Sequence, residues 1–156
     1  LEEVAEVFID PDGDGENYLE AEINPYGALM SLRLDREFAK GGTGDYSWSY
    51  KALKIGTGVK GSLNKQSDTD TQWICELGFP FSEIAFSAPS MSFPPKTGDS
   101  WRINLYRYEY FRPLESNKPE LTAWNRVVWP NGEKNRGFHA PNYFGRIIFS
   151  SETAGK

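Results

Sequence analysis

Apolar and polar residues alternate with a period of two through much of the chain, the spacing of strands with two distinct faces. Residues 4–9 put Ala5, Val7 and Ile9 on one side and Val4, Glu6 and Phe8 on the other. Residues 18–24 repeat the pattern, with Leu19, Ala21 and Ile23 inward and Tyr18, Glu20, Glu22 and Asn24 opposite. The Asp- and Gly-rich turn between them predicts an antiparallel hairpin whose loop is longer than the tightest two-residue connections. Further strands are predicted at 27–34, 53–60, 71–78, 100–108 and 143–150. Within 100–108, Trp101, Ile103 and Leu105 are expected to face the core, and Arg102, Asn104, Tyr106 and Tyr108 to face outward. Residues 35–50, with Gly-Gly-Thr-Gly and Trp48, read as a mobile excursion, and 64–70 as a polar linker able to supply further oxygen ligands. A polar loop over 112–136 carries Trp124 and Trp129. Helix is limited to a single turn capped by Ser82 and running to about Ala85.

At 156 residues the chain has room for one core, so a single domain over 1–150 is expected, followed by a flexible tail at 151–156. Aromatics at 15%, with 15 Gly and 10 Pro, suit short strands joined by turns. They predict an all-β fold, an antiparallel β-sandwich of jelly-roll or immunoglobulin-like type with little helix. The net charge of −5 comes without a basic block, which argues against binding driven by phosphate neutralisation and so against a nucleic-acid partner. No apolar run approaches the roughly 20 residues of a membrane span, so no membrane insertion is expected. Cys75 is the sole cysteine, which excludes an internal disulfide; on a strand face with Trp73 and Leu77 it is expected to pack in the core. The chain opens at Leu1 inside an apparent strand, as a processed or excised form would.

Asp10, Asp12 and Asp14 stand at alternate positions in the turn Asp-Pro-Asp-Gly-Asp-Gly, where oxygen ligands can gather around calcium. The register is not that of a helix-flanked calcium loop, since the twelfth position from Asp10 is Ala21. An Asp/Gly hairpin turn whose side chains bond their own backbone accounts for the same residues. Catalysis finds little support. His139 is the only histidine and has no nucleophile motif around it, and one histidine with one cysteine does not build a zinc shell. Glu6, Glu20 and Glu22 share a strand face, but outward glutamates are more often solvated or metal-linked than a hydrolytic pair. The chain is therefore read as not an enzyme. Sugar recognition fits better, because it needs flat aromatic rings and planar hydrogen-bonding groups. Trp124, Trp129, Phe138 and His139 in loops, with Glu6, Arg102 and Asn104 on strands, offer both.

Five ordered blocks carry a resemblance: Glu6-Val-Phe-Ile-Asp-Pro-Asp-Gly-Asp-Gly15, Tyr18-Leu-Glu-Ala-Glu-Ile-Asn-Pro25, Trp73-Ile-Cys-Glu-Leu-Gly-Phe-Pro80, Gly98-Asp-Ser-Trp-Arg-Ile-Asn104 and Phe138-His-Ala-Pro-Asn-Tyr-Phe-Gly145. Together they resemble carbohydrate-binding module family 9-like domains, a branch of the DOMON-like β-sandwiches. The resemblance implies bound calcium and an aromatic site for the end of a β-glucan or xylan chain. It implies hydrogen-bonding roles for Glu6, Glu22, Arg102 and Asn104, a clamp aromatic at Phe138, and a loop tryptophan at Trp124. It further implies a poly- or oligosaccharide partner and attachment to a larger glycoside hydrolase or surface protein. The setting would be secreted, extracellular or on the bacterial cell envelope. The opening strands of such modules and their second clamp aromatic precede the position of Leu1, so the missing strands are expected to be cleaved, supplied by another chain, or replaced by homo-oligomerisation. Two other readings follow from the same superfamily. One is a haem-binding electron-transfer domain using Met30 or Met91 with His139, the other a surface sandwich used for protein contacts.

Overall fold

The structure, a computed structural model, describes residues 3–65, 67–110, 118–128 and 137–152. Nine strands lie among the described residues: β1 (Val4–Asp10), β2 (Leu19–Ile23), β3 (Leu29–Leu34), β4 (Gly44–Asp45), β5 (Lys54–Lys60), β6 (Gln72–Gly78), β7 (Ser100–Glu109), β8 (Glu120–Ala123) and β9 (Gly145–Ile148). The main sheet runs β4-β3-β2-β1-β7-β8, and β9 also pairs with β7. One strand can hold both neighbours because β7 is ten residues long. Its residues 100–103 pair with β9 and its residues 106–109 with β8. Strands β5 and β6 form a separate antiparallel hairpin that supplies the second layer. Every pairing is antiparallel, as expected of an all-β sandwich.

Both faces of the main sheet are covered. On the first, Ile9, Leu19, Ala21, Ile23 and Trp101 pack with Tyr50 and Ile84, under Ile55, Cys75 and Leu77 from the β5–β6 hairpin. Cys75 is thus a half-buried packing residue, as its strand face implied. On the second face Phe8, Tyr18, Leu32, Leu34, Tyr106 and Phe144 form another cluster, joined by Met30, Ala123, Val127 and Phe138.

That second core reverses part of the inward and outward assignment in β7. Asn104 and Tyr106, expected outward, are 0% and 3% exposed, whereas Leu105, expected inward, is 43% exposed. Alternation separates the two faces of a strand but does not say which will be roofed. Here residues 123–127 and 138–144 fold over the side expected to face water, and Leu105 lies outside the cluster under the hairpin.

Three loop expectations also change. Residues 35–50 are folded: a 3-10 turn at Phe38–Lys40 leads into β4, which pairs with Arg33 and Leu34. The Asp35 carboxylate holds that return by accepting from the Thr43 amide and hydroxyl. In the 64–70 linker, Asp68 accepts from the Ser62 hydroxyl and Asp70 from the Ser62 amide, so these acids brace the β5–β6 connection. The predicted helical turn is two 3-10 turns, Phe81–Glu83 and Ala85–Ser87. Pro80, not Ser82, occupies the first cap position, and no side chain caps it. Trp129 and residues 153–156 of the expected tail lie outside the described residues.

Candidate functional site

Strand β1 is hydrogen-bonded on both sides, to β2 and to β7, so its side chains are held on a rigid platform. Successive residues on its second face are Glu6, Phe8 and Asp10. Asp10 ends the strand and is fully buried. Its Oδ1 accepts from the Gly13 amide and its Oδ2 from the Gly15 amide, each at 3.0 Å. Those glycines have φ of 72° and 82°, the left-handed backbone that lets the amides turn back onto one carboxylate. Burial raises the Asp10 pKa to about 7, against the lowering effect of the two amides. Asp12 and Asp14 are exposed, and one oxygen from each lies with one from Asp10 inside a 4.8 Å group. Asp14 also accepts from the Glu16 amide. The turn therefore has the self-bonded form of an Asx hairpin while keeping a hard oxygen set of the kind calcium takes.

Toward the other end of the same face, Glu6 pairs across β1–β2 with Glu22, and Phe8 with Glu20. The three glutamates bring one oxygen each within 4.8 Å of one another. Glu6 and Glu20 are buried, at 5% and 2% exposure, and Glu22 is half-buried. Burial, then the charge of Glu22, pushes the Glu6 pKa up to about 8. Glu20 is also driven upward, first by burial and then by its hydrogen bond to Glu22 and the nearby charge of Glu6. His139 stands beside them, its Nε2 3.9 Å from Glu20 Oε2 and its Nδ1 3.3 Å from the Tyr18 hydroxyl. Burial lowers its pKa to about 4, so the imidazole is neutral at physiological pH.

Aromatic rings adjoin this acidic group. Tyr106 lies opposite Glu6 in the β1–β7 register. Phe138 stacks on Tyr106 with centroids 3.9 Å apart and an 11° tilt, and meets Tyr108 edge-on at 5.5 Å. Of the residues expected to bind sugar, Glu6, Glu22, Phe138 and His139 thus gather on one face. Asn104 shares that face but is enclosed, donating to the Tyr106 hydroxyl and to the Asn125 carbonyl while accepting from the Asn125 amide. Arg102 sits beside the aspartate turn, opposite Asp10 in the register, and donates to the Asn142 carbonyl. Trp124 is 55% exposed and its ring lies over Gly145, on the side of the sheet that Ile103 faces. It and Phe138 therefore occupy opposite sides of the sheet. Met30 borders the face that carries His139, whereas Met91 packs in the first core.

Residues that the sequence reading left out complete the picture. Glu20 was set aside as an outward glutamate, although its place between Tyr18 and Glu22 in a strictly alternating strand was the available signal. Tyr106 and Tyr108 were legible only as hydrogen-bonding groups. An open cleft of about 460 Å³ elsewhere is lined by Trp48, Phe86, Asp45 and Glu83 among others. The Asp45 carboxylate there accepts from Ser47 and the Trp48 amide, and Glu83 accepts from the amides of Lys51 and Ala52.

The class these features define is an antiparallel β-sandwich with a buried carboxylate cluster and stacked rings on one sheet face. No protein-family model and no curated protein sequence matches the chain. Among solved structures, a candidate carbohydrate-binding protein from Bacteroides uniformis shares the fold at a TM-score of 0.58 and 18% identity. The match covers 94% of this chain and 61% of that one, so the chain spans less than two thirds of its length. Among the described residues, no helix is long and apolar enough to cross a membrane.

Proposed function

We propose that the protein is a noncatalytic carbohydrate-binding module that holds a poly- or oligosaccharide, with the end of a β-glucan or xylan chain as the favoured ligand. The observation that carries this reading is the meeting of the half-buried Phe138 and Tyr108, seated against the buried Tyr106, with the half-buried Glu22 and its buried neighbours Glu6 and Glu20 on one sheet face. Rings offer flat apolar surface to the C–H side of a pyranose, and carboxylates accept from its hydroxyls. The fold shared with a candidate carbohydrate-binding protein supports it. Under this proposal the module works outside the cell, attached to a larger polysaccharide-degrading enzyme or surface protein. Calcium would be held structurally by Asp10, Asp12 and Asp14, bracing the hairpin that carries Glu6 and Glu22.

Affinity electrophoresis against soluble glucans, xylans and mannans tests the reading. Retardation of the wild type is expected, weakened by Phe138→Ala or Glu22→Gln in protein that melts cooperatively. Trp124→Ala separates a contribution from the other side of the sheet. Unretarded migration of folded wild-type protein in every polysaccharide would sink the proposal.

A further inference from the structure

Acidic side chains cluster on many protein surfaces, and closeness alone says little about Glu6, Glu20 and Glu22. What distinguishes this group is enclosure. Glu20 is 2% exposed, and its Oε2 is buried with no hydrogen-bond partner. Native structures rarely leave a buried carboxylate oxygen in that condition, so such an atom asks for an unseen ligand. Charge points the same way. Among the described residues the one basic side chain within ion-pair distance of the three is His139, and its Nε2 stands 3.9 Å from Glu20 Oε2. Three acids therefore face one another on β1 and β2 without a lysine or arginine among their ion pairs.

We propose that Glu6, Glu20 and Glu22 form a second site for a hard divalent cation, separate from the aspartate turn. All-oxygen donors select calcium, magnesium or manganese over softer metals. One oxygen from each glutamate lies within 4.8 Å of the others, close enough for a single hard cation to reach all three. Glu22, the half-buried member, also lines a cleft of about 170 Å³ with Val4, Asn24 and Met30. The site stands on the glutamates alone and does not depend on sugar binding.

The experiment is calorimetric titration of the EDTA-stripped full chain with calcium chloride, with thermal melts in parallel. Asp12→Asn with Asp14→Asn removes the exposed acids of the turn and isolates the glutamate site. That double variant is expected still to bind calcium and to melt higher in its presence. Adding Glu20→Gln should weaken this remaining binding by about tenfold or more. Glu22→Gln, at a half-buried position, gives the same reading where the first substitution impairs folding. If the turn variant binds no calcium, the proposal fails. It fails equally if binding persists unchanged after Glu22→Gln and Glu20→Gln.

Discussion

Replacing Gly145 with alanine tests how Trp124 is seated. Gly145 begins β9, lies in regular strand and pairs with Ile103. A Cβ there would stand 2.4 Å from Trp124 Cζ3, 2.9 Å from Cη2 and 3.0 Å from Cε3. Carbon atoms in contact need about 3.5–4.0 Å, so ring or strand must give by about 1 Å. The strand is the stiffer of the two, because Phe144 just before it is buried and β9 is laddered to β7. The ring, 55% exposed, has solvent to move into. Two effects then oppose each other. Alanine at an unstrained glycine position stabilises by about 0.4–1 kcal/mol through the unfolded chain. Overpacking against the indole costs about 1–3 kcal/mol. Gly145→Ala alone should therefore destabilise by about 0.5–2 kcal/mol, and in a Trp124→Ala background it should be neutral or stabilising. Urea denaturation of the four proteins, followed by circular dichroism so that losing a tryptophan does not remove the signal, yields the coupling energy. A value near 1–3 kcal/mol is expected, and one below about 0.5 kcal/mol would refute the close seating of ring on glycine.

Asp10→Ala should destabilise by about 2–4 kcal/mol even in excess EDTA, because it strips acceptors from the Gly13 and Gly15 amides at a fully buried position. Asp14→Asn under the same conditions should change stability little, and an equal loss in both would show that the turn relies on the ion alone. Asn104→Ala should lower stability by about 1–3 kcal/mol in denaturant titration, since it removes a fully buried side chain that ties β7 to the Asn125 backbone. A loss under about 1 kcal/mol would mean that water replaces the side chain. Burial raises the Cys75 thiol pKa, so its reaction with a thiol reagent at pH 8 should be slower than that of the denatured chain. Equal rates would place the sulfur at the surface.

The strands were legible because period-two alternation is strong in residues 4–9 and 18–24, and the β1–β2 register brings the alternating sets together as those patterns required. The roofing of each face was not. It depends on residues 123–127 and 138–144 crossing the sheet, a long-range event that local alternation does not encode. For that reason Asn104 looked like a ligand group and is instead a tie between β7 and the backbone of Asn125. Glu6 and Glu22 were placed correctly on one face because strand spacing alone decides it. The position of Trp124 depends on the slot between β8 and β9 against β7, where its amide donates to the Leu105 carbonyl. Nothing in a polar loop sequence reports which side of a sheet such a ring will take.

The two acidic groups of the β1–β2 hairpin differ in what surrounds them. Asp10 is buried but answered: two amides point at its carboxylate, and Arg102 lies opposite in the register. Its fold role is complete with or without an ion. Glu20 is buried and unanswered at Oε2, and its neighbours Glu6 and Glu22 add charge of the same sign. Burial drives Glu6 and Glu20 toward their protonated forms in the free protein. A divalent ion or a hydroxyl-rich ligand can supply what those oxygens lack, and each does so at the same sheet face as Tyr106 and Phe138. The fold satisfies the aspartate turn more fully than the glutamates, which makes the glutamate face the first place to look for a ligand.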